Sequence, residues 1–309
     1  MTLRIRILTL CTTLTFLPLL VGSWSSGWLE APPTKRQFEL RALSPKFWTL
    51  ISHDAKLTTM ATGFGFTEGP VWDPSGFVYV SDETLNKIFR VYPDGRKETL
   101  LSLGDPDGNT FDPQQRLLDC ASVLRAIIVV SSDGQYKVLA DRFEGKKFNS
   151  PNDVVIGPDG AIYFTDPTLD LVKGEKQEIP FQGVYRLDAA GHVSLLTKDL
   201  SQPNGLAFSP DGHKFYLDDS EQRNIRVYDF SPGGALTHGR IFGDESGGPK
   251  EGVPDGMRLD RSGNLFVVGP LGIWVWDAEG SPKVFDLCES GLNTLRQMIR
   301  SRDEMKFRD

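Results

Sequence analysis

Glu68-Gly69-Pro70-Val71-Trp72-Asp73, Asp107-Gly108-Asn109-Thr110-Phe111-Asp112, Asn152-Asp153-Val154-Val155-Ile156-Gly157, Asn204-Gly205-Leu206-Ala207-Phe208-Ser209 and Asp255-Gly256-Met257-Arg258-Leu259-Asp260 are five versions of one segment. Each opens on a carboxylate or carboxamide and is followed by a turn and a second strand. The opening residues are spaced by 39, 45, 52 and 51 positions. Asp73-Pro74-Ser75-Gly76, Pro158-Asp159-Gly160, Pro210-Asp211-Gly212 and Arg261-Ser262-Gly263 supply turns, with glycine where a hairpin wants positive φ. Second strands follow at 77–81, 161–165, 214–217 and 264–268, and third strands at 87–92, 183–187, 224–228 and 272–276. The third strands are rich in the β-branched and aromatic residues of half-buried sheet. A unit of about 40 to 50 residues with three or four strands is the blade of a β-propeller. Nothing between the strands has helical period, which excludes stacked βαβ units, and a β-solenoid repeats at a much shorter interval.

In a propeller the innermost strand of each blade lines the central channel, so equivalent positions form a ring. Glu68, Asp107, Asn152, Asn204 and Asp255 therefore converge at one mouth although they are far apart in sequence. All five offer oxygen and none offers sulfur or imidazole, a donor set for a hard cation such as Ca²⁺, Mg²⁺ or Mn²⁺. Gathered carboxylates repel one another, and a divalent ion relieves that repulsion. Any one of these residues alone reads as an ordinary turn former; five at matching positions read as a site. Asp107 fits the repeat and is a pocket candidate. Asp166, closing the second strand of the third blade in Phe164-Thr165-Asp166-Pro167, either faces the same mouth or caps the turn before Pro167.

Thr67-Glu68-Gly69-Pro70-Val71-Trp72, Ser150-Pro151-Asn152-Asp153, Gln202-Pro203-Asn204-Gly205 and Val253-Pro254-Asp255-Gly256-Met257 together resemble the signature of the gluconolactonase family, which includes regucalcin (senescence marker protein) and related lactonases. The similarity runs from about Asp54 to Gly280. The resemblance implies an all-β fold, a six-bladed β-propeller. Because the fifth blade ends near Phe285 and a sixth opening residue would fall around position 300, the last blade is expected to be incomplete. Lys56–Ala61 is the expected strand partner for a final blade. The resemblance also implies one divalent cation held by Glu68, Asn204 and Asp255, with Ca²⁺ first and Mg²⁺, Mn²⁺ or Zn²⁺ as alternatives. Asn152 would sit beside it, contacting substrate or metal-bound water, and Asp255 would also act as general base or acid in the hydrolysis of a sugar lactone or related cyclic ester. The chain departs from the family at Ala121-Ser122-Val123-Leu124-Arg125, where relatives carry a polar, often His-containing stretch. Alternatives to the enzyme are a non-catalytic propeller that binds a sugar or a protein partner, and a truncated inactive copy.

Composition is that of a globular protein, 39% hydrophobic and 24% charged, with 31 Gly and 20 Pro. The formal net charge of −7 and the absence of a basic stripe argue against nucleic acid as a partner, and the family resemblance implies a small-molecule lactone. Arg4, Arg6 and the apolar run Ile7 to Val21 read as a cleavable export signal over residues 1–23, directing the protein to the periplasm or outside the cell. The run is shorter than the roughly 20 residues of a membrane span, and an uncleaved anchor is the alternative. Residues 24–55 read as a linker with a short helix, 56–287 as the propeller, and 288–309 as a polar tail foreign to the family. Cys120 and Cys288 either pair or stay buried and unpaired. Gly243-Asp244-Glu245-Ser246-Gly247-Gly248-Pro249 resembles a serine-protease nucleophile loop with one residue inserted, but no histidine stands in a matching context. His53, His192, His213 and His238 have no metal-ligand spacing, and no phosphate loop is present.

Overall fold

Strand, turn, strand recurs five times because each blade is a four-stranded antiparallel meander. A computed structural model of the chain describes residues 39–287, apart from Leu57, Pro232 and 247–251. The expected export signal at 1–23, the start of the linker, Cys288 and the tail at 288–309 lie outside the described residues. From the channel outward, the first blade comprises Thr67–Asp73, Phe77–Asp82, Lys87–Val91 and Lys97–Ser102. The second comprises Pro106–Phe111, Leu117–Ala121, Ala126–Val130 and Tyr136–Ala140. The third comprises Val154–Ile156, Ile162–Asp166, Gly183–Leu187 and Val193–Thr197. The fourth comprises Pro203–Phe208, Lys214–Asp219, Asn224–Ser231 and Ala235–Asp244. The fifth comprises Met257–Leu259, Leu265–Gly269, Gly272–Trp276 and Pro282–Leu287. The described residues thus form five blades of an all-β propeller. Among them no helix is long and apolar enough to cross a membrane.

Strand alternation gives each blade two apolar faces, and each face is buried against a neighbour. Tyr79 and Ile88 of the first blade meet Leu117 and Ile128 of the second. Cys120 and Ile127 meet Phe164 and Tyr185 of the third, and Cys120 is a fully buried free thiol there. Tyr163 and Val184 meet Phe215 and Phe230 of the fourth. Tyr216 and Phe242 meet Leu265, Val267 and Trp276 of the fifth.

The other face of the fifth blade, Phe266, Ile273 and Val275, is covered by residues read from sequence as linker. Glu39–Ala42 adds a fifth strand outside Pro282–Leu287, and the 3-10 helix Pro45–Thr49 buries Phe47 against that face. The expected strand at Lys56–Ala61 does not form. Met60 and Ala61, with Phe64, instead lie flat on Val80, Phe89 and Val91, the free face of the first blade. In the second blade the turn from the inner strand to the second carries no glycine, and Gln115 takes the positive φ (58°) there.

One ladder position repeats with a consequence for stability. Asp82, Asp166 and Asp219 each end a second strand, and each carboxylate accepts a backbone N–H from the loop entering its own blade: Gly65 at 2.9 Å, Asn149 at 2.9 Å and Ser201 at 2.7 Å. In the fifth blade that position is Gly269, and Glu245 reaches back from the entering loop to fill the space, accepting from Trp276 Nε1 at 3.0 Å. Burial pushes the Glu245 carboxyl up to about 8, far above its value in an unfolded chain. A raised carboxyl contributes stability that is complete below pH 4 to 5 and is lost as pH rises through about 8. The melting temperature of the wild type should therefore fall between pH 5 and pH 8.5. Glu245→Gln, which keeps the acceptor for Trp276, should fall less and melt about 5 °C or more above wild type at pH 8.5. Parallel melting curves for the two proteins would contradict this assignment.

Candidate active site

Each opening residue is set in the ladder at the start of its inner strand. Glu68 pairs with Ser81, the Asn152 N–H donates to the Thr165 carbonyl at 3.0 Å, and the Asp255 N–H donates to the Val268 carbonyl at 2.9 Å. The ladder slips just after this point in three blades, between Glu68 and Val71, Pro106 and Asn109, and Pro203 and Leu206. Such a bulge turns the opening residue out of the strand's regular alternation.

What draws the strands together is the glycine that follows the opening residue. A Cβ at Gly69 would collide with the Asp107 carbonyl, one at Gly108 would lie 2.6 Å from the Asn152 carbonyl, and one at Gly205 would collide with the Asp255 carbonyl. Each glycine thus lets the next blade's opening residue approach within backbone contact, and the Gly108 N–H donates to the Asn152 carbonyl at 2.8 Å. Between the third and fourth blades Asp153 replaces glycine, and the Thr165 hydroxyl closes the gap by donating to the Asn204 carbonyl at 2.8 Å.

The side chains are electrostatically coupled. Asp107 is 3% exposed, and its Oδ2 accepts from Asn152 Nδ2 at 2.7 Å. Burial pushes its carboxyl well above the usual range, and Glu83, Asp170, Glu68 and Asp255 push it further. Asp170 is raised to about 6 by burial and by Asp105, while a hydrogen bond from Asn152 opposes the rise and Asp255 adds to it. Glu68, Asn152 and Asp255 therefore all act on Asp107. Asn204 is buried and sits on the strand beside Asp255, and its follower Gly205 donates to Asp218 Oδ1 at 3.2 Å. Asp218 is fully buried below the mouth, held up by burial and by the Asp255 charge. Asp166 closes its second strand with Oδ2 accepting from the Asn149 N–H at 2.9 Å, and burial raises its carboxyl to about 8.

Asp170, Glu83 and Asp105 were not legible as site residues. All three lie outside the repeated segment, Glu83 and Asp170 in second-to-third-strand connections and Asp105 just ahead of an inner strand. The four charges acting most strongly on Asp107 are all carboxylates. Oxygen donors among several carboxylates fit a hard divalent cation by type and by charge. Among the described residues no three of His, Cys, Asp and Glu come together as a metal centre.

Gly205→Ala should force the Asp255 backbone away from its neighbour and destabilise the protein by about 1–3 kcal/mol in urea unfolding. An unchanged midpoint would show that the inner strands do not depend on this contact.

Residues 66–285 match the SMP-30/gluconolactonase/LRE-like region. The gluconolactonase of Zymomonas mobilis is 32% identical over 270 residues, covering 78% of this chain and 75% of that protein. A pentonolactonase of Haloferax volcanii is 24% identical, covering 69% and 70%. Among solved structures, a gluconolactonase of Xanthomonas campestris superposes with a TM-score of 0.75 at 32% identity, covering 84% and 86% of the two chains. A calcium-binding regucalcin from Agrobacterium tumefaciens shares the fold at a TM-score of 0.59 and 21% identity, covering 74% and 75%.

Proposed function

The chain belongs to the SMP-30/gluconolactonase/LRE-like family, and from that premise we propose that it hydrolyses a sugar lactone such as gluconolactone, or a related cyclic ester, at the carboxylate-lined mouth. The observation that carries the reading is the close approach of the inner-strand starts, where Asn152 bonds the buried Asp107 and the charges of Glu68 and Asp255 act on it.

Glu68, Asn204 and Asp255 would hold one divalent cation, Ca²⁺ first, with Mg²⁺, Mn²⁺ or Zn²⁺ as alternatives. When bound, the cation supplies a Lewis acid that polarises the lactone carbonyl and lowers the pKa of water beside it. Asp255 takes the proton of the attacking water as its oxygen adds to the carbonyl carbon. The ring C–O bond then breaks, the proton returns to the departing ring oxygen, and a hydroxy acid leaves. Asn152 and Asp107, joined at 2.7 Å, present a carboxamide and a carboxyl to the substrate's own hydroxyls.

The ring itself we read as having six positions. Residues 40–55 cover the free face of the fifth blade and residues 60–64 that of the first. These are the two faces between which a sixth blade would stand.

Acid release from glucono-δ-lactone tests the reading. Turnover should vanish on chelation and return with Ca²⁺ or Mn²⁺. Asp255→Asn should lower kcat at least about a hundredfold while the melting temperature stays within a few degrees. A folded, cation-binding protein that opens no lactone would overturn the hydrolase reading and leave a binding propeller.

A further inference from the structure

Five of the large apolar side chains left exposed stand on the mouth-end connections of the first three blades. Leu85 lies in the turn 83–86, Val123 and Leu124 in the turn 122–125, and Leu169 and Val172 in the connection 167–182. All five are 37–42% exposed. Register puts them there: Thr67 pairs with Asp82 and Pro106 with Ala121, so each second strand ends beside the start of its inner strand. The turn that follows therefore stands over the mouth.

The same connections carry the acids of the throat. Glu83 stands two residues before Leu85, Asp170 follows Leu169, and both act on Asp107. The second-blade turn is pinned to the site by the Ser122 hydroxyl, which donates to the Pro151 carbonyl at 2.6 Å, one residue before Asn152. Val123 packs against Gly104. On the fourth blade the equivalent turn is Ser220-Glu221-Gln222-Arg223, wholly polar. Each of these three connections thus sets one or two exposed apolar side chains at the rim, above an acidic throat.

A polyhydroxylated ring gains nothing from an apolar rim, whereas a hydrocarbon group removes those side chains from water. Resting on the lactone-hydrolase reading, we propose that the substrates of this site include, and favour, lactones bearing an aliphatic substituent. The ring enters the carboxylate throat and the hydrocarbon lies across Leu85, Val123, Leu124 and Leu169.

The test compares δ-valerolactone, δ-octanolactone, δ-decanolactone and δ-dodecanolactone with glucono-δ-lactone, followed by proton release with the full chain and added Ca²⁺. Each methylene laid on the rim should raise kcat/KM roughly two- to fourfold. The double variant Leu124→Ser, Leu169→Ser should lower kcat/KM for δ-decanolactone at least about tenfold and leave δ-valerolactone within about twofold. Val138→Ser, on the outer strand of the second blade, should change neither. Calorimetric titration with δ-valerolactam and its pentyl-substituted derivative reads the rim without turnover. The pentyl lactam should bind at least about tenfold more tightly, and the double variant should erase the difference. A flat chain-length series in a protein that opens lactones, or equal binding of the two lactams, overturns the inference alone. A folded protein that opens no lactone overturns the hydrolase reading beneath it.

Discussion

Close approach of the inner strands is the constraint on which the rest depends. The five opening residues can meet only if neighbouring backbones touch, and backbones touch here because Gly69, Gly108 and Gly205 have no Cβ to hold them apart. The same contact that packs the blades around the channel assembles the site. Structure and chemistry are therefore not separable at the mouth: a methyl group added for stability elsewhere in a strand would here move a functional carboxylate. Asp107 registers its surroundings in a carboxyl raised first by burial and then by the charges of Glu83, Asp170, Glu68 and Asp255. The arrangement stores unfavourable charge that a bound divalent ion would relieve.

Away from the mouth, the blades are held by apolar faces that alternate between neighbours. The ends of the described array are managed by the segment before the first blade. Phe47 and its companions close the fifth blade, and Met60, Ala61 and Phe64 close the first. Without these covers Phe266, Ile273, Val80 and Phe89 would stand on exposed sheet faces, the situation that a repeat array cannot tolerate at its ends. A cover built from a strand, a 3-10 helix and an extended stretch meets the need as well as a blade would.

Much of this was legible in the sequence, for physical reasons that differ from residue to residue. Glycine turns at Gly76, Gly160, Gly212 and Gly263 announced four hairpins. The second blade hid its hairpin because Gln115 takes the positive φ there. Glu39–Ala42 gave no strand signal because its partner, Pro282–Leu287, lies at the far end of the chain and no local pattern records the pairing. Lys56–Ala61 resembled a strand by composition, yet its apolar residues serve as a cover. At the site, repetition exposed Glu68, Asp107, Asn152, Asn204 and Asp255, since equivalent positions in blades become neighbours in space. Asp170 and Glu83 belong to connections whose lengths vary from blade to blade, so repetition carried no information about them. For Asp166, the turn-cap alternative accounts for its bond to Asn149.

The account stands or falls on a cation at the inner-strand ends. Anomalous scattering from crystals grown with Mn²⁺ measures it most directly. A single peak in contact with Glu68, Asn204 and Asp255, absent after soaking in chelator, is the predicted result. Crystals of the folded protein with no peak at those three residues, or with Mn²⁺ bound only elsewhere, would contradict it.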